Sequence, residues 1–218
     1  MSRNLFSDPL LTSIDSLRKY ETFGSIFSAA HGLIALIPSI QQRCFERART
    51  IREGGDLQPT VTWFEQLEQK ILAFDAESNT LCLGRKPDAE TLAVVETYRH
   101  ALLIYLYSSD VCDDVQQAPH VTEKLQRHAM LCLQALATLQ GTSSTAILLW
   151  SFLIASSCLE GEQERNMVRE LISNTGPHVA IVSRAMDVLE KTWQQGSNLG
   201  PYGMHIAMTQ HNIRLIIT

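Results

Sequence analysis

The chain is expected to fold as a single irregular all-α domain of about seven to nine helices, and three observations predict it. Almost every segment repeats its apolar residues at helical spacing, and no stretch sustains the alternation of a strand. Gly and Pro punctuation falls between the periodic segments. The 218 residues suit one large domain or two small ones, and 45% hydrophobic with 19% charged residues is enough to bury a core and too apolar for disorder.

The elements follow in order. Ile26, Ala30, Leu33 and Ile37 lie on one stripe, interrupted by Pro38, which should kink or restart the helix because proline has no N–H to donate. A polar helical stretch runs from Gln41 to about Arg52 and stops at the Gly54-Gly55 breaker. Phe64, Leu67, Ile71 and Phe74 form the next stripe, opened by Pro59 and Thr60 at helix-start positions. A polar loop spans Asp75 to Pro87. Asp88 then offers an N-cap, and Glu90 in the first turn suits the helix dipole. The helix that follows carries Val95, Tyr98, Leu102, Tyr105 and Leu106 on one face and should end near Asp110.

Leu125, Ala129, Cys132, Leu136 and Leu139 run to a break at Gly141. From about Thr145 to Leu159 the chain is apolar on every face, so this helix belongs at the centre. Gly161 separates it from a short helix bearing Met167, Val168, Leu171 and Ile172. Gly176 and Pro177 close that helix and open another carrying Val182, Met186, Leu189 and Trp193. Gly196, Gly200, Pro201 and Gly203 predict a loop, and the tail from Met204 to Thr218 fits a helix or a strand equally. No linker divides the chain and no repeat emerges. The expected organisation is an N-terminal segment (1–25), a helical domain (26–195) and a C-terminal tail (196–218) packed on it or extending it.

Composition excludes several function classes. A formal net charge of −5 argues against unaided grip on the phosphate backbone of nucleic acid. Arg43, Arg47, Arg49 and Arg52 are the basic concentration, but Glu46 and Glu53 dilute it into a solvated helix face. The 5 cysteines (Cys44, Cys82, Cys112, Cys132, Cys158) have no closer pair than about twenty positions. Local pairs such as C-x2-C are what pre-position metal ligands, so no metal site is expected, and free, reduced, mostly buried thiols are. The 7 histidines show no His-Glu-x-x-His spacing. The longest apolar run, Ala146 to Leu159, falls short of the roughly twenty residues that cross a bilayer.

Three constellations carry a chemical alternative. Asp110, Asp113 and Asp114 form an acidic cluster of the kind that holds magnesium and a diphosphate in terpene-synthase-like lyases. A solvated helix terminus competes with that reading, and no second metal motif of Asn, Ser and Glu accompanies the cluster. Gly196, Gly200 and Gly203 follow a helix and lack a Lys-Ser or Lys-Thr, so they fail as a phosphate loop. Trp150, Phe152 and Ile154 sit in the most apolar helix, where core packing is the ordinary role and the wall of a pocket for an apolar ligand is the second.

Four stretches in order resemble the regulatory domain of fungal zinc-cluster transcription factors, in the branch that includes acriflavine-sensitivity and sterol-uptake regulators. The first is His31 to Ile40, with Gly32, Leu33, Leu36, Ile37, Pro38 and Ile40. The second is Glu96 to Tyr107, with Tyr98, Arg99, Ala101, Tyr105 and Leu106. The third is Leu148 to Cys158, centred on Leu149 and Trp150 and followed by Arg165 and Val168. The fourth is Ala185 to Trp193, with Leu189. Ser151 stands where the family usually has proline, and Ser156 where it usually has glycine. The resemblance covers roughly Ala30 to Gln195.

The resemblance implies a transcriptional regulatory domain that senses a signal and contacts partners, either the transcription machinery or regulator proteins. It implies nuclear localisation, with the cytoplasm as a second compartment, while the failed motif checks leave no enzyme activity and no cofactor expected. Tyr98, Arg99, Leu149, Trp150, Arg165, Leu189 and Trp193 are expected to be structural motif positions. Sterol regulators of the branch make an apolar small molecule a second kind of ligand, and a homodimer is a further expectation. The six-cysteine zinc cluster and its basic segment do not occur in this sequence. The chain is therefore expected not to read DNA itself, whether it is a truncated product, a fragment or a stand-alone relative.

Overall fold

The computed structural model describes residues 29–55, 58–76, 86–109, 119–141, 148–174, 180–196 and 200–213. Among the described residues a helical turn over 29–34 precedes eight helices, and there is no strand. The helices are α1 (Ile37–Glu53), α2 (Gln58–Leu72), α3 (Ala89–Ser109), α4 (Pro119–Thr138), α5 (Leu149–Ser157), α6 (Glu162–Asn174), α7 (Ala180–Gln194) and α8 (Gly200–Gln210).

Local chemistry explains the boundaries. The first turn ends where the Leu36 N–H donates to Leu33 O at 2.9 Å, and α1 then restarts with Pro38 in its opening turn. Gly54 closes α1 at φ +65°, a backbone that residues with a Cβ adopt only under strain. Asp88 caps α3, its Oδ1 accepting from the Thr91 N–H at 2.8 Å. The Thr91 side chain and then its N–H hold the Asp88 carboxyl below the usual carboxylate range.

Helices α3 and α4 make the most extensive pairing. The short α5 packs against α3, α4, α7 and α8, while α1 and α2 cover another side of α3. Every residue of α5 from Ser151 to Ser157 is buried, as its all-round apolarity requires. Helix α3 is as deeply set, with Ala101, Leu102, Leu103, Ile104 and Leu106 fully buried. The one-face stripe expected for α3 thus understates its burial, because it has neighbours on several sides. No helix among the described residues is long and apolar enough to cross a membrane.

One expectation needs correction. Gly200, Pro201 and Gly203 open a helix and do not form a loop. Gly200 turns the chain at φ +84° and Pro201 occupies the first turn, where a missing N–H costs nothing. The positive φ is what calls for glycine at 200, since a Cβ there would sit at an ordinary contact distance, 3.6 Å, from Cys158 Sγ. The tail from Met204 is accordingly helical to Gln210. Of the apolar residues that α6 bears, Met167 is 46% exposed, while Val168 is fully buried.

Candidate functional site

The motif residues converge on the ends of helices. Arg99 projects from α3 and is 13% exposed. Its Nη1 donates to Ile71 O (2.6 Å) and Leu72 O (3.0 Å), and its Nη2 to Phe74 O (2.7 Å). Ile71 and Leu72 are in the last turn of α2 and Phe74 lies just beyond it, with Ile71 O also accepting from the Phe74 N–H at 3.4 Å. Glu96 orients the guanidinium from one turn away through Arg99 Nε, at 3.1 Å. Phe74 also explains Gly32, because a Cβ at 32 would come within 2.6 Å of the Phe74 ring. Beside Arg99, Tyr98 lies near-parallel to Trp150 (centroids 6.3 Å, 18°), and Tyr105 meets Trp150 edge-on (6.1 Å, 78°). Burial pushes the Tyr98 phenol up to about 12.

The C-terminal end of α5 is buried, so its carbonyls need partners. Three helices supply them. Trp193 Nε1 of α7 donates to Ser156 O at 2.9 Å. Gln126 of α4 donates to Cys158 O. Arg165 of α6 donates to Leu159 O through Nε (3.1 Å) and Nη2 (3.0 Å). The guanidinium carbons of Arg165 and Arg169 lie 5.5 Å and 5.3 Å from the Trp193 ring centre. Arg169 then forks onto Glu190 of α7 (2.7 and 3.1 Å) and reaches Glu162 at 2.6 Å. Leu189 is fully buried on α7, and Leu149 half-buried at the start of α5. The structure therefore brings Arg165, Leu189 and Trp193 into one knot around α5, with Tyr98 and Trp150 in an aromatic pair beside it.

A second cluster was not found from the sequence. Between α2, α3 and α4, His100 Nδ1 lies 3.1 Å from His128 Nδ1, so one ring donates to the other. Tyr107 packs on His128 with centroids 5.6 Å apart and donates its hydroxyl to Glu68 Oε1 at 2.5 Å. Lys124 Nζ is 3.9 Å from Glu68 and 5.0 Å from the Tyr107 ring centre. Burial first, then Arg99 and Arg127, pushes His100 down to about 4. Burial, His100, Arg127 and Lys124 do the same to His128, opposed by Glu68. Burial and Glu68 also push the Tyr107 phenol upward. The signal was present: His100 and Tyr107 stand at i, i+7 on one helix, and Lys124 and His128 at i, i+4 on the next.

The chemical meaning of these arrangements is internal. Arg99, Arg165 and Trp193 direct donors at the protein's own backbone, where a substrate-binding residue would direct them at a ligand. Cys132 and Cys158 are free and buried, and burial first, then Ser157 lowering and Glu160 raising, leaves the Cys158 thiol up at about 12. A buried thiol of that kind is a poor nucleophile. The hydroxyls of Ser151 and Ser156 are buried without a hydrogen-bond partner among the described residues.

Trp150 and Ile154 share a face of α5, while Phe152 lies about 200° round the helix. Ile154 is buried to 2% and Phe152 to 9% exposure. A cleft of about 300 Å³ lies between α4 and α6 and is lined by none of these three. Asp110, Asp113, Asp114 and Cys112 lie outside the described residues.

Among known protein families, the fungal specific transcription factor domain matches residues 8–206. No curated protein and no solved structure gives a significant match. A match over residues 8–206, nearly the whole chain, settles the family: the chain belongs to the fungal specific transcription factor domain family.

Proposed function

We propose that this chain is the signal- and partner-receiving regulatory part of a fungal transcription factor, working in the nucleus and without a zinc cluster of its own. The observation that carries the reading is the family match over residues 8–206. A transcriptional regulatory role follows from membership. The finer statement, regulation through other proteins, is supported by the net charge of −5 and by cysteines too far apart for a zinc cluster within this sequence. The commitment of Arg99, Arg165 and Trp193 to backbone carbonyls supports a scaffold over an enzyme. The four sequence stretches favour the branch of the acriflavine-sensitivity and sterol-uptake regulators. An in-frame deletion of this coding segment in its fungal host is expected to change a reproducible set of transcripts. An unchanged transcript profile under every growth condition in which the protein is expressed would contradict the proposal.

A further inference from the structure

The cleft between α4 and α6 has the dimensions and chemistry of a docking groove. One wall is a stripe of α4, with Met130, Leu133 and Ala137 at the i, i+3, i+7 spacing of a single helix face. The other wall is Met167 and Leu171 of α6. Leu133 is buried and forms the floor, while Met167 is 46% exposed at the lip. From Met130 to Gln140 the α4 wall runs about 15 Å, the length of two to three turns of a docked helix. Methionine side chains are flexible and polarisable, and they adapt to varied apolar surfaces.

Charge selects the occupant. Glu164 and Glu170 line the cleft one turn before and one turn after Met167 on α6, and among the described residues no cation lines it. Neither carboxylate is ion-paired among the described residues, whereas Glu162 on the same helix is taken by Arg165 and Arg169. An apolar trough between two free carboxylates is complementary to an apolar stripe flanked by Lys or Arg, and it repels an acidic segment. We propose that this groove binds a short amphipathic helix of a partner protein, with apolar anchors at i, i+3 or i+4 and i+7 and with basic flanks. The inference goes beyond the transcriptional reading and stands or falls independently of it.

The test is selection on the purified full chain from a displayed library of amphipathic helices, with apolar anchors held constant and flanking positions randomised. Selected peptides are expected to carry net positive flanks and to bind less tightly as salt rises. Met167→Arg, which fills the trough and presents its own cation to Glu164 and Glu170, is expected to weaken binding at least tenfold. Glu164→Gln with Glu170→Gln should weaken it about threefold to tenfold, at a cost of ~0.7–1.4 kcal/mol, and flatten the salt dependence. All three substitutions are at exposed or half-buried positions, and circular dichroism melts check that the variants stay folded. No enrichment, enrichment without a basic bias, or undiminished binding to Met167→Arg would overturn the proposal. So would a peptide-free dimer in sedimentation that Met167→Arg dissolves, because a second copy of the chain would then occupy the groove.

Discussion

His100 and His128 meet Nδ1 to Nδ1 at 3.1 Å, and that arrangement tolerates one shared proton but not two. Both imidazoles titrate in the folded protein at about 4, against an ordinary value of about 6.5, with burial as the first cause for each. The groups that face the pair are Glu96 and Arg99 on α3, Lys124 and Arg127 on α4, and Glu68 on α2. Since the folded values are depressed, the unfolded chain binds more protons between about 4 and 6.5. The pair's contribution to stability is therefore fully present above pH 6.5 and is lost as pH falls toward 4. Urea unfolding across this window should show a loss on the order of 1–3 kcal/mol for the coupled pair. His128→Gln should make the decline shallower, and an equally steep decline in that variant would contradict the account. Local spacing puts His100 with Tyr107 on one helix face and Lys124 with His128 on another, but that these two faces meet depends on how α3 packs on α4.

At the scale of elements, the recurring device is a side chain that closes another helix. Arg99 closes α2, and Arg165 and Trp193 close α5. The end of α5 is buried and needs these donors because water cannot reach its carbonyls, whereas at the end of α2 Leu72 is 54% exposed. The planar fork of Arg99 spans three carbonyls, a geometry that an ammonium on a flexible stem does not reproduce. Arg99→Ala is expected to cost about 2–3 kcal/mol, and Arg99→Lys to recover less than half of that loss. The urea midpoint at constant slope reads both, and a change below about 0.5 kcal/mol for Arg99→Ala would sink the capping role. Helix positions were largely legible from local signals: Pro38, Gly54 and Asp88 act where backbone chemistry says they must. Helix α8 was missed because Gly200, Pro201 and Gly203 are loop residues by frequency. Here Gly200 turns the chain at φ +84° and Pro201 occupies the first turn of a helix.

For the whole molecule, periodicity established the helical class, and the all-round apolarity of α5 placed it at the centre. The central role of α3 was only half visible, because five fully buried residues on several faces read in sequence as one ordinary stripe. Motif residues were identifiable by resemblance and their structural role was expected, but which carbonyls they serve depends on tertiary packing. The cleft between α4 and α6 was illegible for the same reason, because local spacing does not show that Met167 lies exposed at its lip. The central claim is that this helical unit regulates transcription without contacting DNA itself. It is tested most directly by fusing the chain to an unrelated DNA-binding module and an activation segment, then measuring output from a reporter carrying that module's site. The account predicts that the fused chain changes reporter output relative to the fusion lacking it. It also predicts that Trp193→Ala, which opens the α5 knot, abolishes the change, while the chain without the added module leaves the reporter untouched. Reporter output that is the same with and without the chain would contradict the claim.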